Sequence, residues 1–322
     1  MLKLLGVDRF TILLISMVVL ATFLPVSGQA AHFFNILTTV AIAVLFFLHG
    51  AKLSREAVVE GMLHWKMHAL VFGFTFLIFP AIGLLSKPIL EPLLGQPLYW
   101  GFLFMCFLPS TVQSSIAFTS IAKGNVAGAV CSASFSNIIG MFITPILVSY
   151  FILGQSQHGF DPTKSIIQIT LLLLVPFVLG QLLRPFVFPY MVKRPSLVKA
   201  FDQGSILMVV YGAFSGAVVA GLWHQVSGIT LLYLTLACSV LLTIVMLLAL
   251  YLPKWLGFNQ ADQVTIFFCS SKKTLASGVP MAQILFIGQP LGMIVLPIMI
   301  FHQIQLMVCG IIANRWAKSK QD

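Results

Sequence analysis

Apolar stretches of about 20 residues recur along the whole chain, separated by short polar connections, and predict ten membrane-crossing helices. They fall near 10–27, 33–50, 66–86, 98–120, 126–153, 166–188, 203–222, 229–252, 262–285 and 287–312. Runs of that length suit helices, whose backbone groups bond internally across a hydrocarbon core about 30 Å thick. A transmembrane barrel would show short alternating segments instead. The polar breaks carry information of their own. "HGAKLSREAVVEGMLHWK" after the second span has room for a short interfacial helix, Pro195 falls in the basic stretch "MVKRPSLVK", Pro253 ends the eighth span, and Pro290 marks the start of the tenth.

Composition agrees with this pattern. Hydrophobic residues make up 59% of the 322 and charged residues 8%, with a net charge of +10 and a mean hydropathy of +1.02. The excess positive charge does not point to nucleic acid, because it is gathered in short loops on one side. With ten spans, 14 of the 18 Lys and Arg fall in connections on the side of both termini, and only Lys87 and Lys164 fall opposite. The positive-inside rule then places both termini in the cytoplasm of a multi-pass plasma-membrane protein. Lys3 and Arg9 ahead of an apolar run give the first span a signal-peptide look, but its similarity to the later spans favours a retained helix. The five cysteines lack metal or CxxC spacing and read as buried thiols. The carboxylates, Asp202 and Asp262 among them, all fall at ends or connections, so none is left at midmembrane to hold sodium or a proton.

Two stretches concentrate the polar chemistry. "LPSTVQSSIAFTSIAKGN" in the fourth span supplies Gln113, Ser114 and Ser115, and "FFCSSKKTLASGVPMAQ" in the ninth supplies Ser271, Lys272, Lys273, Thr274 and Ser277. Their matching places in two sets of five spans predict an all-α inverted repeat, 1–160 and 161–322, with discontinuous fourth and ninth helices that cross near midplane. Kinking at small residues for packing is the plainer alternative. Ser132, Ser136 and Asn137 can share a face of the fifth span, as ligands or as interhelical hydrogen-bonding groups. Thr75 can be a ligand or bond back to its own helix. Gly124 and Asn125 read as a turn, and His64 and His68 sit at the basic entrance to the third span without a metal pattern. His302 lies deeper in the tenth span, either on a solute path or in a helix–helix bond. No phosphate loop, nucleotide fingerprint or nucleophile–base pair is present, so the chain does not read as an enzyme or as ATP-driven.

"FFLHGAKLSREAV", "KGNVAGAVCSASFSNIIGMFITP" and "FCSSKKTLASGVPMAQILF" resemble the bile acid:sodium symporter superfamily, in its bacterial branch similar to human solute carrier family 10 member 7. The resemblance covers almost the whole chain. It implies ten helices in two groups, a panel (10–50 plus 166–222) and a core (66–153 plus 229–312), with the fourth and ninth helices unwound where they cross. It also implies sodium as the only cofactor, with ligands matching Ser114, Ser115 and Ser271. The chain departs from the pattern at several of those positions. Ala129 and Ala133 replace fifth-helix hydroxyls, Thr75 stands for a glutamine, and Ser271 stands for the ninth-helix glutamate, followed at once by two lysines.

An unpaired charge at midmembrane costs at least about 2.5 kcal/mol. Lys272 and Lys273 therefore need a polar cavity, a route along their stems to an interface, or a place where they substitute for the missing cation. The first predicts that at least one faces a polar cavity at the crossing. The expected function is secondary transport of a small organic, anionic solute by alternating access, in a bacterial inner membrane and with sodium coupling implied by the resemblance alone. A membrane regulatory or scaffold protein that keeps the transporter fold is the alternative, and the residues leave monomer and homodimer open.

Overall fold

The computed structural model describes residues 9–52, 64–154, 171, 174–221 and 226–318. Every element among them is helical: α1 (Arg9–Phe23), α2 (Gly28–Lys52), α3 (Trp65–Leu85), α4 (Lys87–Leu94), α5 (Gln96–Phe107), α6 (Gln113–Ile121) and α7 (Val126–Leu153). After them come α8 (Val175–Leu182), α9 (Arg184–Lys193), α10 (Pro195–Val219), α11 (Gly228–Trp255), α12 (Gln260–Ser270), α13 (Leu275–Leu285) and α14 (Leu291–Lys318). Six of these, α2, α3, α7, α10, α11 and α14, are each long and apolar enough to cross a membrane. Large apolar side chains such as Phe23, Leu85, Phe186 and Trp255 point outward, as lipid requires and water does not. The chain is a multi-pass helical membrane protein.

Local chemistry sets the helix starts. Asn125, Ser227, Asn259 and Thr274 have extended backbones, and each accepts a bond from an N–H in the first turn of α7, α11, α12 or α13, which meets donors a helix start leaves unpaired. Proline sits at the start of α4, α5, α8, α9 and α10, where its missing N–H costs nothing. Pro195 therefore opens α10 and does not belong to a loop. That start brings Asp202 inside the helix, buried and bonded to Lys52 of α2, so its expected place in a connection is wrong. Pro253 also lies inside α11 and does not end it. The fourth and ninth spans are each broken into two half-helices, α5/α6 and α12/α13. The expected sixth span is described only from its later part, where α8 and α9 are bent by 84°. Its expected start and the stretch 53–63 lie outside the described residues.

Small residues bring backbones together. A Cβ on Gly50 would lie 1.9 Å from the Phe177 carbonyl oxygen, and one on Gly180 would lie 1.9 Å from the Phe47 oxygen, so α2 and α8 touch through reciprocal glycines. Gly101 lets α5 lie against the Ile294 backbone of α14. Such approach replaces hydrophobic drive where the solvent is itself apolar. Phe102, Phe104 and Phe107 of α5, Leu241 and Val245 of α11 and Ile298 and Phe301 of α14 belong to the main core. All five cysteines are buried, and none is in a disulfide.

Candidate functional site

Pro109 decides where α5 stops. The residue before a proline is pushed away from helical geometry, and Leu108 is extended, with φ −71° and ψ 153°. The carbonyls from Cys106 to Ser110 are then taken up by groups from other spans. Cys106 O and Leu108 O accept from Lys273 Nζ at 2.9 and 2.7 Å, Phe107 O from Thr144 Oγ1 at 2.8 Å, Pro109 O from Thr274 N at 3.0 Å, and Ser110 O from Asn137 Nδ2 at 2.6 Å. Buried backbone acceptors without such donors would be costly. Ser110 N donates to Ser136 Oγ at 3.1 Å, and Ser110 Oγ donates to Cys269 O at 2.6 Å. Ser277 Oγ reaches Asn137 Oδ1 at 3.3 Å, so Asn137 ties the two breaks together.

Lys272 and Lys273 are both 0% exposed and leave the second break in different directions. Lys272 Nζ donates to Ser114 O at 2.9 Å and lies 4.1 Å from the Phe118 ring centroid and 5.0 Å from that of Phe268, aromatic faces that attract a cation. Lys273 Nζ donates to three carbonyls, those of Cys106 and Leu108 and Thr75 O at 2.9 Å, and sits 4.1 Å above the Phe79 ring. Thr75 O is free to accept for a local reason. Residues Phe74–Ile78 form a π-turn in which Phe79 N bonds Phe74 O, and the next residue, Pro80, has no N–H. Gln305 of α14 holds the Lys273 backbone from both sides, accepting from its N and donating to its O at 2.9 Å each. Its Nε2 also meets His302 Nδ1 at 2.8 Å.

A cavity of about 430 Å³ lies beside this junction. One wall comes from Thr111–Ser114 and Thr274–Ser277, the first turns of α6 and α13 with the residues just before them, and from Asn137 and His302. Phe46 and His49 of α2, Phe177 of α8 and Ile206 of α10 line it as well. Lys52, Lys199, Asp202 and Gln203 line it at one end.

Of the residues singled out from sequence, Gln113, Ser114, Asn137, Thr274, Ser277 and His302 line this cavity. Ser115 and Ser136 are buried behind it in bonds to Thr111, Phe268 O and Ser110. Neither lysine lines it, which corrects the expectation that at least one faces a cavity: released carbonyls capture the Lys273 ammonium, and Ser114 O with the Phe118 and Phe268 rings captures that of Lys272. Ser132 also turns away, to His68 Nδ1 at 2.6 Å, and His68, in the first turn of α3, is buried. Thr75 Oγ1 bonds back to Val71 O at 2.7 Å, so that residue contributes its carbonyl and not its hydroxyl. Asn125 does more than turn the chain, capping α7 and donating to Asp262 Oδ1 at 2.8 Å. Ser110 and Thr111 belong to the polar stretch that the sequence marks in the fourth span; Lys52 and Asp202 are not legible there as cavity residues, and Gln305 is legible only as a polar neighbour of His302. The three-residue spacing of Gln305 from His302 was the one available signal for Gln305.

The hydroxyls expected to hold sodium do not converge. Ser114 and Ser115 share Thr111 Oγ1, whereas the partner of Ser271 Oγ is Cys309 Sγ at 3.9 Å. An ammonium group is bonded to Ser114 itself, and two unit charges 4 Å apart repel by about 4 kcal/mol at an effective dielectric of 20. These residues do not fit a sodium ion.

A family model for the SBF-like CPA transporter family matches residues 8–318. The chain is 50% identical over 319 residues to the Escherichia coli protein named "Putative symporter YfeH", covering 98% of this chain and 94% of that one. It is 52% identical over 315 residues to an uncharacterized protein of Pseudomonas aeruginosa, with 98% and 94% covered. It is 29% identical over 322 residues to "Sodium/bile acid cotransporter 7" of Danio rerio, with 96% and 94% covered. Matching from end to end a family of helical membrane transport proteins that includes symporters, the chain belongs to the SBF-like CPA transporter family.

Proposed function

We propose that the protein is a secondary transporter of a small organic anion, working by alternating access between the panel and core groups of a ten-helix inverted repeat. The cavity carries this reading. It lies between spans of the two groups and receives the N-terminal turns of both broken helices, each equivalent to roughly half a positive charge. Its wall is backed by Lys272, whose ammonium is bonded to Ser114. A dry cavity strengthens these fields, and half-helix ends near midplane are a recurrent way to hold an anionic group. The apolar lining of Phe46, Phe177 and Ile206 suits the body of an organic molecule and not a bare inorganic ion.

Packing supports the repeat, 1–160 against 161–322. Exchanging each span for its counterpart five spans away turns the α1–α10 pair into α8–α2, and the α5–α14 pair into α12–α7, and all four pairs are in contact. Panel 10–50 plus 166–222 and core 66–153 plus 229–312 then move against each other around the cavity. Phe10, Lys52 and Lys199 line its end nearest the basic connections. With both termini cytoplasmic in a bacterial inner membrane, that end faces the cytoplasm. Sodium and bile acid occur in the names of the vertebrate relatives, and neither carries over: Ser271, Lys272 and Lys273 stand where sodium coupling calls for a carboxylate.

The test is uptake into proteoliposomes of the full chain from a panel of labelled organic carboxylates, sulfonates and phosphates. Saturable uptake, accelerated by the same unlabelled solute inside, is the expected result. Absence of flux for the whole panel, with the protein folded, favours the regulatory or scaffold reading instead.

A further inference from the structure

We propose that the Lys273 ammonium is a tethered cation built into the junction of the broken helices, and that it makes a diffusible sodium ion unnecessary there. The inference concerns the fold's own positive charge and stands whether or not a solute is moved.

Three observations converge on it. The first is valence: an ammonium has three N–H donors, and Lys273 Nζ meets three carbonyls at 2.7–2.9 Å with an aromatic face at 4.1 Å. Those distances suit charge-assisted bonds. The second is the origin of the carbonyls. Cys106 N–H and C=O groups lie in the last turn of α5, the negative end of a helix dipole, where Ser110 N is diverted to Ser136 Oγ and so leaves Cys106 O without its helical donor. Thr75 O is set free by the π-turn and Pro80. Backbone oxygens without helical partners, from two different spans, are the hard ligands that would otherwise gather an alkali cation. The third is fixation. Gln305 grips the Lys273 backbone on both sides, so the charge is anchored at its base as well as at its tip.

Lys272 does not share this arrangement. Its ammonium has one carbonyl acceptor and two rings, and its bond runs to the cavity wall. The two neighbours thus divide the work: Lys273 joins α3, the end of α5 and the second break, while Lys272 stands behind the first turn of α6. Cation-dependent assembly of the junction is replaced by a covalent attachment, which is present at every sodium concentration.

The experiment is thermal unfolding of the purified full chain in detergent, in sodium chloride and in choline chloride at equal ionic strength. The wild type is expected to melt at the same temperature in both. A saturable, sodium-specific rise would overturn the proposal. Lys273→Ala is expected to melt at least about 5 °C lower, as three buried carbonyls left without a donor imply, and to recover at least half of that loss in ammonium or methylammonium chloride but not in choline chloride. Unchanged melting, or equal recovery in choline, also overturns it. Should the alanine variant not accumulate, Lys273→Met, which keeps the stem without the charge, is expected to melt below the wild type without recovery in ammonium, and melting equal to the wild type would overturn the proposal.

Discussion

Lys272 and Lys273 show what one residue of separation can do inside a membrane. Two adjacent charges in an apolar run are conspicuous in the sequence, and so is the broken helix around them. Their destinations are not, because those depend on carbonyls released elsewhere. Thr75 O becomes available through a π-turn that leaves no mark in composition, and Cys106 O through Ser136, a residue thirty positions away that reads from sequence as a packing serine or a ligand. Gln305 stands three residues from His302, and nothing in the sequence shows that it makes the two bonds that hold Lys273. Gln305→Ala leaves a buried N–H and a buried C=O unpaired, each costing about 1–3 kcal/mol. The expected loss is roughly 2–6 kcal/mol, visible as a lower melting temperature. His302→Ala removes a side-chain bond to Gln305 and leaves both Gln305 bonds to the Lys273 backbone in place, so it should cost less than Gln305→Ala. Equal losses for the two variants would mean that Gln305 is not the clamp.

At the scale of elements, the apolar spacing reads well wherever a helix is continuous, as in α2, α7 and α11, and the polar, proline-bearing stretches correctly mark the two breaks. Errors gather at prolines, since the same residue that ends one helix can open the next. Pro195 opens α10, which carries Asp202 from an expected connection into a buried bond with Lys52. The contact between α2 and α8 is likewise hidden, because a glycine in an apolar run gives no sign of what approaches it. Gly50→Ala or Gly180→Ala would place a methyl group inside van der Waals distance of a backbone oxygen. The two helices must separate, at an expected cost of about 3 kcal/mol or more, above the usual range for added methylenes because the obstacle is backbone. Gly73→Ala, in α3, meets nothing within 4 Å and should be neutral or stabilising by up to about 1 kcal/mol. Melting temperatures of the three variants test the contrast, and a Gly50→Ala protein as stable as Gly73→Ala would rule out the close approach.

For the whole molecule, the decisive property is the sign of the field in the cavity and the side from which it is reached. Ala276 is exposed, lines the cavity and sits in the first turn of α13, whereas all five native cysteines are buried. Ala276→Cys therefore adds one reactive thiol to a quiet background. A unit charge about 12 Å from that sulfur contributes about 1.4 kcal/mol at an effective dielectric of 20, a factor of about ten in local reagent concentration. Two half-helix N-termini and two buried ammonium groups act in the same direction. A sulfonate-bearing methanethiosulfonate should thus react at least about tenfold faster than its trimethylammonium analogue, and from the cytoplasmic face of oriented vesicles. Adding Lys272→Met should reduce that preference, because its charge stands behind Ser114 at the same wall. Faster reaction of the cationic reagent would be incompatible with an anion-binding cavity, and reaction confined to the opposite face would reverse the proposed opening while leaving the anion preference standing.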